Sequence, residues 1–349
     1  MSPEQADRGL ATLSPAWFGM VMATGIVSLA SSMHGLERVA LGLFVLNMFV
    51  YVLLWVLTMA RVLRHTRAFL QDLIGHLTGP TFFTTVAATG VLGAQCLQLL
   101  GLTQVAAGLW ILAVVLWLLL TYAIFTILTV KEDKPPLDRG ISGGWLLAVV
   151  ATQSLAVLGA LLATHIGQPW KLELNFFALS MWLWGGMLYI WMMSLIFYRY
   201  TFFRFLPGDL SPPYWINMGA MAISTLAGSL LILNSPDAPF LQSVKPFLKG
   251  FTIFYWATGT WWIPMLLVLG VWRHIYKRFP LRYDPLYWGA VFPLGMYTAC
   301  THELARAMDL AFLQPITIWF LGVALVAWAV TFLGAVRRVI SVLSGRSPS

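Results

Sequence analysis

Long apolar runs, separated by short polar or turn-forming segments, make up almost the whole chain. A bilayer core of about 30 Å requires roughly 20 apolar residues in a helix, so each run is long enough to cross it. The pattern predicts an all-α polytopic membrane protein with a single transmembrane domain over residues 1–349. Because the residues ahead of the first run lack the features of a cleaved signal, we expect that run to be a span too. Ten transmembrane helices are predicted, at about residues 14–33, 39–60, 78–100, 105–130, 143–164, 175–198, 213–234, 248–272, 286–308 and 315–335.

The predicted spans alternate in composition. Odd-numbered spans are rich in Gly, Ala, Ser and Thr, which let membrane helices approach closely, whereas even-numbered spans carry many Trp, Tyr and Phe. Such aromatic side chains suit lipid-facing and interfacial positions. The alternation predicts five helical hairpins around a central pore, with the odd helices inside and the even helices outside. A solid bundle, in which the small residues only permit tight packing, is the alternative.

Proline positions support a special role for the odd spans. Pro15, Pro80 and Pro213 lie at or near the starts of spans 1, 3 and 7, whereas Pro293 lies deeper in span 9. A proline inside a helix bends it and frees the carbonyl four residues earlier, which for Pro293 belongs to Gly289. The first three prolines equally fit the first-turn position of a straight helix.

Composition and charge narrow the class of protein. Apolar residues make up 59% and charged residues 10% of the chain, and the mean hydropathy is +0.80, which excludes large soluble domains. Most of the 21 Lys and Arg residues, Arg282 and Arg346 among them, fall in connections on the side of the termini. The positive-inside rule then places both termini in the cytoplasm, in a plasma membrane or, if the source is bacterial, the inner membrane. The basic residues form no arm or groove-sized cluster, so we expect no nucleic-acid partner.

Ionisable residues are scarce within the predicted spans. His302, Glu303 and Arg306 form one cluster near the outer end of span 9. Glu303 and Arg306 have the spacing of a helical ion pair, which is either purely structural or part of a pore vestibule. The two cysteines, Cys96 and Cys300, lie in apolar runs and provide neither a disulfide framework nor a metal site. No catalytic constellation is visible, so the sequence predicts no enzyme, no metal and no cofactor.

A passage without fixed charges can still conduct anions, because hydroxyls, water and oriented backbone N–H groups offset the cost of removing an ion from water. Each hydroxyl has an alternative role, since it can also bond to a carbonyl one turn earlier in its own helix. The candidate lining residues are Thr24, Gly25, Ser28, Thr84, Thr85, Thr89, Thr152, Ser154, Ser224, Thr225 and Thr298.

Three segments resemble a known family. They are PAWFGMVMATGIVSLA at 15–30, WLLAVVATQSLAVLG at 145–159 and WGAVFPLGMYTACT at 288–301. They are similar to the first, fifth and ninth spans of the tellurite-resistance/dicarboxylate-transporter family, which includes plant slow anion channels and fungal malate and sulfite transporters. The Met-Gly-Thr-Gly element that is usual in the first span of that family reads Met-Ala-Thr-Gly here, and the ten-span layout covers the whole chain.

The resemblance implies five hairpins around a central pore, in a homotrimer whose subunits each have their own pore. It also implies that a phenylalanine before the proline of span 9 blocks the pore, a place that Phe292 and Pro293 occupy here. Ordinary core packing is the alternative role of Phe292. One departure is Ala148, where the family usually has proline in span 5, and it predicts a milder bend there.

We therefore expect an anion channel or exporter for small anions such as chloride, nitrate, sulfite or dicarboxylates, embedded in a lipid bilayer and closed by Phe292. The second hypothesis is a proton-coupled dicarboxylate or sulfite carrier, in which His302 and Glu303 titrate. The third is a membrane-embedded enzyme or an accessory protein in tellurite detoxification.

Overall fold

The computed structural model describes residues 3–281 and 283–343, so Arg282 and Arg346, which entered the topology argument, lie outside the described residues. The described chain is built of helices and contains no strand. Its ten long helices are α1 (Phe18–Met33), α2 (Glu37–Arg64), α3 (Phe83–Leu100), α4 (Thr103–Val130), α5 (Leu147–Ala163), α6 (Trp170–Phe202), α7 (Ile216–Asn234), α8 (Lys245–Val271), α9 (Trp288–Met308) and α10 (Gln314–Leu343).

Nine of these helices, taken with their flanking turns and counted over the described residues, are long and apolar enough to cross a membrane. The protein is therefore a multi-pass membrane protein. Helix α9 falls outside this set because its last two turns carry the polar residues His302, Glu303 and Arg306. A tenth membrane crossing through α9 accordingly stays a prediction.

Burial alternates along the chain. In the most apolar stretch of each helix, between 78% and 100% of the residues are buried in α1, α3, α5 and α7, against 22% to 44% in α2, α4, α6, α8 and α10. Most of α9 is buried as well. The five buried helices contact one another in chain order, and α9 contacts α1, so they close into a ring. Each of the other five helices packs against the buried helix that precedes it, and we call the two sets the inner and outer helices.

A short 3₁₀ turn precedes every inner helix. The five turns are Pro15–Trp17, Gly79–Phe82, Gly143–Leu146, Pro212–Trp215 and Pro285–Tyr287. Pro15, Pro80 and Pro213 thus occupy first-turn positions, where a missing N–H removes no helical bond. The turns contact one another in the same cyclic order as the helices they start. We call this end of the bundle the turn face, and the other end the opposite face.

Basic residues tie the turn face together. Near the C-terminal ends of four outer helices, a basic side chain donates a hydrogen bond to a backbone carbonyl. In each case the carbonyl lies in the segment that leads into the inner helix of the same hairpin. These bonds join Arg61 to Ala11, Lys131 to Ile74, Arg199 to Ile141 and Arg273 to Leu210. Outside the spans, burial and then the nearby charges of Lys131 and Lys134 lower the pKa of His76, so that this imidazole stays neutral at pH 7. The Arg and Lys side chains at the turn face therefore join the ends of four outer helices to the segments that lead into four inner helices.

Candidate functional site

Two small cavities lie one after the other along the axis of the ring. The cavity nearer the turn face has a volume of about 30 Å³, and each inner helix contributes to its wall through Met22, Thr84, Leu147, Ile216 and Phe292. Residues of all five turns complete this wall. We call it the turn-side cavity.

The second axial cavity lies nearer the opposite face and has a volume of about 20 Å³. All five inner helices again contribute, with Ile26, Gly90, Ser154, Ile223 and Met296 as examples. A water molecule needs a cavity of roughly 10 to 15 Å³, so each axial cavity has room for one or two waters. Neither can hold an ion with a hydration shell, and an isolated ion in an apolar interior costs tens of kcal/mol. The axis is closed in this conformation.

Phe292 lies at the inner end of the turn-side cavity, one helical turn before Met296, which lines the other cavity. Its side chain is only 1% exposed. On α1 the two cavities are likewise separated by one turn, from Met22 to Ile26. The phenyl ring therefore belongs to the layer of side chains that divides the axis.

Glycines allow α9 to approach its neighbours closely on both sides of Phe292. A Cβ atom added to Gly219 of α7 would lie 2.7 Å from Cγ of Pro293, a distance that no real Cβ tolerates. A Cβ atom added to Gly295 would lie 3.0 Å from Cγ2 of Ile26 in α1. Any larger residue at Gly219 would push α9 away, so this glycine determines where the Phe292 ring lies.

Few polar groups face the axis. Thr84 lines the turn-side cavity, but its hydroxyl donates to the carbonyl of Pro15 at 2.8 Å. Ser154 lines the second cavity and donates to the carbonyl of Ala151 at 2.7 Å. Gly289, whose carbonyl loses its helical donor to Pro293, also lines the turn-side cavity. The axis is thus mainly apolar, with a few hydroxyls and one freed backbone carbonyl, and with Gln98 and Glu303 at the end nearer the opposite face.

The structure brings only Thr84 and Ser154 of the eleven sequence-predicted lining residues into the two axial cavities. Four hydroxyls of that set form hydrogen bonds between an inner and an outer helix, with donor–acceptor distances of 2.7 to 3.0 Å. The pairs are Thr24–Trp328, Ser28–Ala40, Thr89–Tyr51 and Thr152–Trp117. Four others donate to a carbonyl three or four residues earlier in the chain, in the pairs Thr85–Phe82, Ser224–Ala220, Thr225–Met221 and Thr298–Leu294.

Gly25 also lies away from the axial cavities. A Cβ atom there would lie 2.4 Å from Cγ1 of Val91 and 2.9 Å from Nδ2 of Asn47. This glycine therefore allows close packing of α1 against α2 and α3.

A third cavity, of about 320 Å³, opens at the opposite face and is lined by Ser32, Gln98, His302, Glu303 and Arg306. We call it the vestibule. It brings together all three residues of the cluster predicted from the sequence. Glu303 also lines the second axial cavity, so its carboxylate stands where that cavity meets the vestibule.

The Glu303 carboxylate accepts two hydrogen bonds from Nη1 of Arg306, both at 2.9 Å. The Glu303 side chain is 5% exposed, whereas that of Arg306 is 57% exposed. His302 keeps its Nδ1 atom without a partner, and its ring centroid lies 5.3 Å from that of His34. A negative charge at the mouth of the axis is thus compensated by a cation that remains in contact with solvent.

Sequence reasoning missed the ring of turns. Each turn follows a polar residue and contains proline or glycine and an aromatic or bulky apolar side chain, as in SPAW at 14–17, SGGW at 142–145 and SPPY at 211–214. This repeat occurs once per pair of helices, at intervals of roughly 70 residues, and could have been found by comparing the starts of the odd spans.

The SLAC1 family model, described as a voltage-dependent anion channel, matches residues 12–336 of the chain. An uncharacterized transporter of Methanocaldococcus jannaschii is 26% identical over 337 residues, which cover 93% of each chain. An uncharacterized membrane protein of Mycobacterium tuberculosis is 37% identical over 162 residues, 46% of this chain and 82% of the relative. A sulfite efflux pump of Arthroderma benhamiae is 21% identical over 348 residues, 93% of this chain and 90% of the pump.

The family match includes all five turns, all five inner helices and both axial cavities. It confirms the family expected from the three resembling segments. The members that match are channels and transporters, which removes the hypothesis of a membrane-embedded enzyme. The chain therefore belongs to the SLAC1 family of voltage-dependent anion channels, and it is an anion channel or transporter.

Proposed function

We propose that the protein lets small anions pass down their electrochemical gradient along the axis of the five inner helices, with Phe292 as the plug. The observation that carries this proposal is the pair of axial cavities, each lined by all five inner helices and divided at the layer of Phe292. The proposal includes a tenth crossing by α9, so that five hairpins surround one pore.

The arrangement of the inner helices favours anions. All five begin at the turn face, so the positive ends of five helix dipoles surround the turn-side cavity. The described lining of both axial cavities contains one charged residue, Glu303, and Arg306 compensates it. An anion that enters from the turn face thus finds favourable dipoles and no fixed negative charge before it reaches Glu303.

The substrate class that we propose includes sulfite, because a relative is a sulfite efflux pump, together with chloride, nitrate and dicarboxylates. Reversal potentials of the protein reconstituted in planar bilayers test this, with one anion replaced by another on one side. We expect the potential to follow the anion gradient and to be unchanged when potassium replaces sodium. A potential that follows the cation gradient would contradict anion selectivity.

A proton-coupled carrier is the second candidate, and the position of Glu303 favours it. This buried carboxylate borders both the second axial cavity and the vestibule, beside the unpartnered Nδ1 of His302. In proteoliposomes, a coupled carrier would accumulate sulfite when only a proton gradient is imposed, and Glu303→Gln would abolish that accumulation. A passive pore shows no accumulation with either the natural or the Gln side chain.

We further propose a homotrimer in a plasma membrane, with the turn face and both termini in the cytoplasm. Basic residues collect at the turn face, as the anchoring side chains Arg61, Lys131, Arg199 and Arg273 illustrate. Labelling of tags at either terminus from outside intact cells would contradict this orientation. A monomeric mass in mild detergent and after cross-linking would contradict the trimer.

A further inference from the structure

A fourth cavity, of about 380 Å³, lies outside the ring at the turn face. It is bounded by the end of α8, the turn before α7 and the start of α9, and it shares no lining residue with the axial cavities. Its volume falls in the range of small-molecule sites, about 300 to 1,000 Å³. The anion pathway gives it no role.

Anion-binding groups collect in one part of this cavity. Arg273 donates from Nη1 to the carbonyl of Leu210, next to Ser211, and its guanidinium lies 4.5 Å from the ring centroid of Phe279. His274 donates from Nδ1 to the carbonyl of Phe279 at 3.0 Å, which fixes the orientation of its ring in the cavity wall. A guanidinium and a hydroxyl that line one cavity are a suitable pair of donors for a phosphate-like oxyanion.

Ser211 differs from three of its four counterparts in the other turns. Ser14, Ser142 and Asp284 precede three of those turns, and each accepts a hydrogen bond from a backbone N–H of its turn. Ser211 has the corresponding position before Pro212–Trp215 but makes no such bond. Its hydroxyl is therefore available to a ligand in the cavity that it lines.

The rest of the wall is apolar and reaches the lipid-facing surface. Leu267 and Val271 of α8 line the cavity and are 55% and 54% exposed. At this point α8 changes to a π-helical turn, Trp272–Tyr276, which carries Arg273 and His274, and such turns are frequent at functional sites. The cavity thus has a cationic part at the membrane surface and an apolar part that continues into the bilayer.

We propose that this cavity binds an anionic phospholipid of the leaflet at the turn face. The phosphodiester contacts Arg273 and Ser211, and one acyl chain lies along Leu267 and Val271. Exposed basic residues next to the cavity, Lys277 and Arg278, add an attraction for anionic lipids. Inorganic phosphate shares the headgroup chemistry, but the apolar wall selects the lipid. The bound lipid would contact two of the five turns that surround the axial entrance.

Native mass spectrometry of the full chain, delipidated in mild detergent and titrated with phosphatidylglycerol or phosphatidylcholine, tests the proposal. We expect the first tightly bound phosphatidylglycerol to bind at least fivefold more tightly than phosphatidylcholine. Gly270→Leu adds a side chain to the cavity wall at a position where a Cβ atom has no neighbour within 4 Å, and it should weaken phosphatidylglycerol binding at least fivefold. Gly250→Leu, also open and on the same helix, is the matched control and should bind as the natural chain does.

Arg273→Gln should bring the affinities for the two lipids to the same level. If that variant does not fold, Gly270→Leu alone decides. Equal affinities for both lipids in the natural chain, or an unchanged affinity in Gly270→Leu, would overturn the proposal. Displacement of the lipid by millimolar inorganic phosphate as effectively as by added phosphatidylglycerol would identify a site for free anions and would overturn it as well.

Discussion

Replacing Phe292 by alanine should open the axis. The side chain is 1% exposed, and a benzene ring fits a cavity of about 150 Å³, so removing the phenyl ring leaves a void on the order of 100 Å³. This void would join the flanking cavities of about 30 and 20 Å³ into one space. Each water occupies about 30 Å³ in the liquid, so the void left by the ring holds about three waters. Together with the one or two waters of each flanking cavity, these can partly hydrate an anion.

The rate effect follows from the lowered barrier. Each 1.4 kcal/mol by which the barrier falls raises the rate tenfold, and we expect the opened axis to raise anion flux by roughly tenfold or more. Chloride efflux from proteoliposomes of Phe292→Ala measures this directly. Phe83→Ala is the matched control, because Phe83 is equally buried but its ring lies 6.1 Å from that of Phe125 in outer helix α4.

Both substitutions remove a buried aromatic ring, which costs about 3 to 5 kcal/mol in protein cores, so their Tm values should fall by similar amounts. Only Phe292→Ala should conduct faster. The reasoning is refuted if a folded Phe292→Ala transports at the rate of the natural chain. An equal rise in Phe83→Ala would show that loosened packing, rather than an opened axis, produces the flux.

Two further substitutions test the supports of the pathway. Gly219→Ala should lower Tm by several degrees and alter anion flux, because a Cβ atom 2.7 Å from Cγ of Pro293 forces α9 to move. Gly250→Ala is the control, since a Cβ atom there has open space, and it should change neither Tm nor flux. Equal Tm values of the two variants would contradict the close contact. Arg306→Gln should reduce anion flux at least threefold, because it leaves the Glu303 carboxylate uncompensated where the axis meets the vestibule. Adding Glu303→Gln should restore the flux, and a double variant as slow as the single one would show that the carboxylate charge is not the cause.

Much of the fold was predictable from the sequence, because a membrane helix must be a long apolar run. The predicted fourth span, 105–130, corresponds to Thr103–Val130. The predicted sixth span, 175–198, lies within a longer helix, Trp170–Phe202. The additional helical turns lie beyond the apolar run. The hydrogen bond that Arg199 donates to the carbonyl of Ile141 fixes the C-terminal end of this helix. Hydropathy does not register such tertiary contacts.

Which side of an inner helix faces the axis was not predictable from residue type. An inner helix is buried on every side, so an apolar stripe does not mark one face. Thr24 and Ser154 looked equivalent in the sequence, yet one accepts a hydrogen bond from Trp328 of α10 and the other lines an axial cavity. Phe292 was singled out through the resemblance to a family, and its position on the axis depends on Gly219, 73 residues earlier in the chain.

The most direct test of the central claim asks whether ions travel along the axis, using cysteines in the Phe292→Ala background. The native Cys96 and Cys300 are buried. Ser154→Cys places a thiol in the wall of the second axial cavity, whereas Ser224→Cys places one on inner helix α7 outside the linings of both axial cavities. We predict that a small anionic methanethiosulfonate reagent blocks chloride flux through Ser154→Cys and leaves Ser224→Cys unaffected. Full flux through Ser154→Cys after treatment, or an equal block of both variants, would contradict a pathway along the axis of the five inner helices.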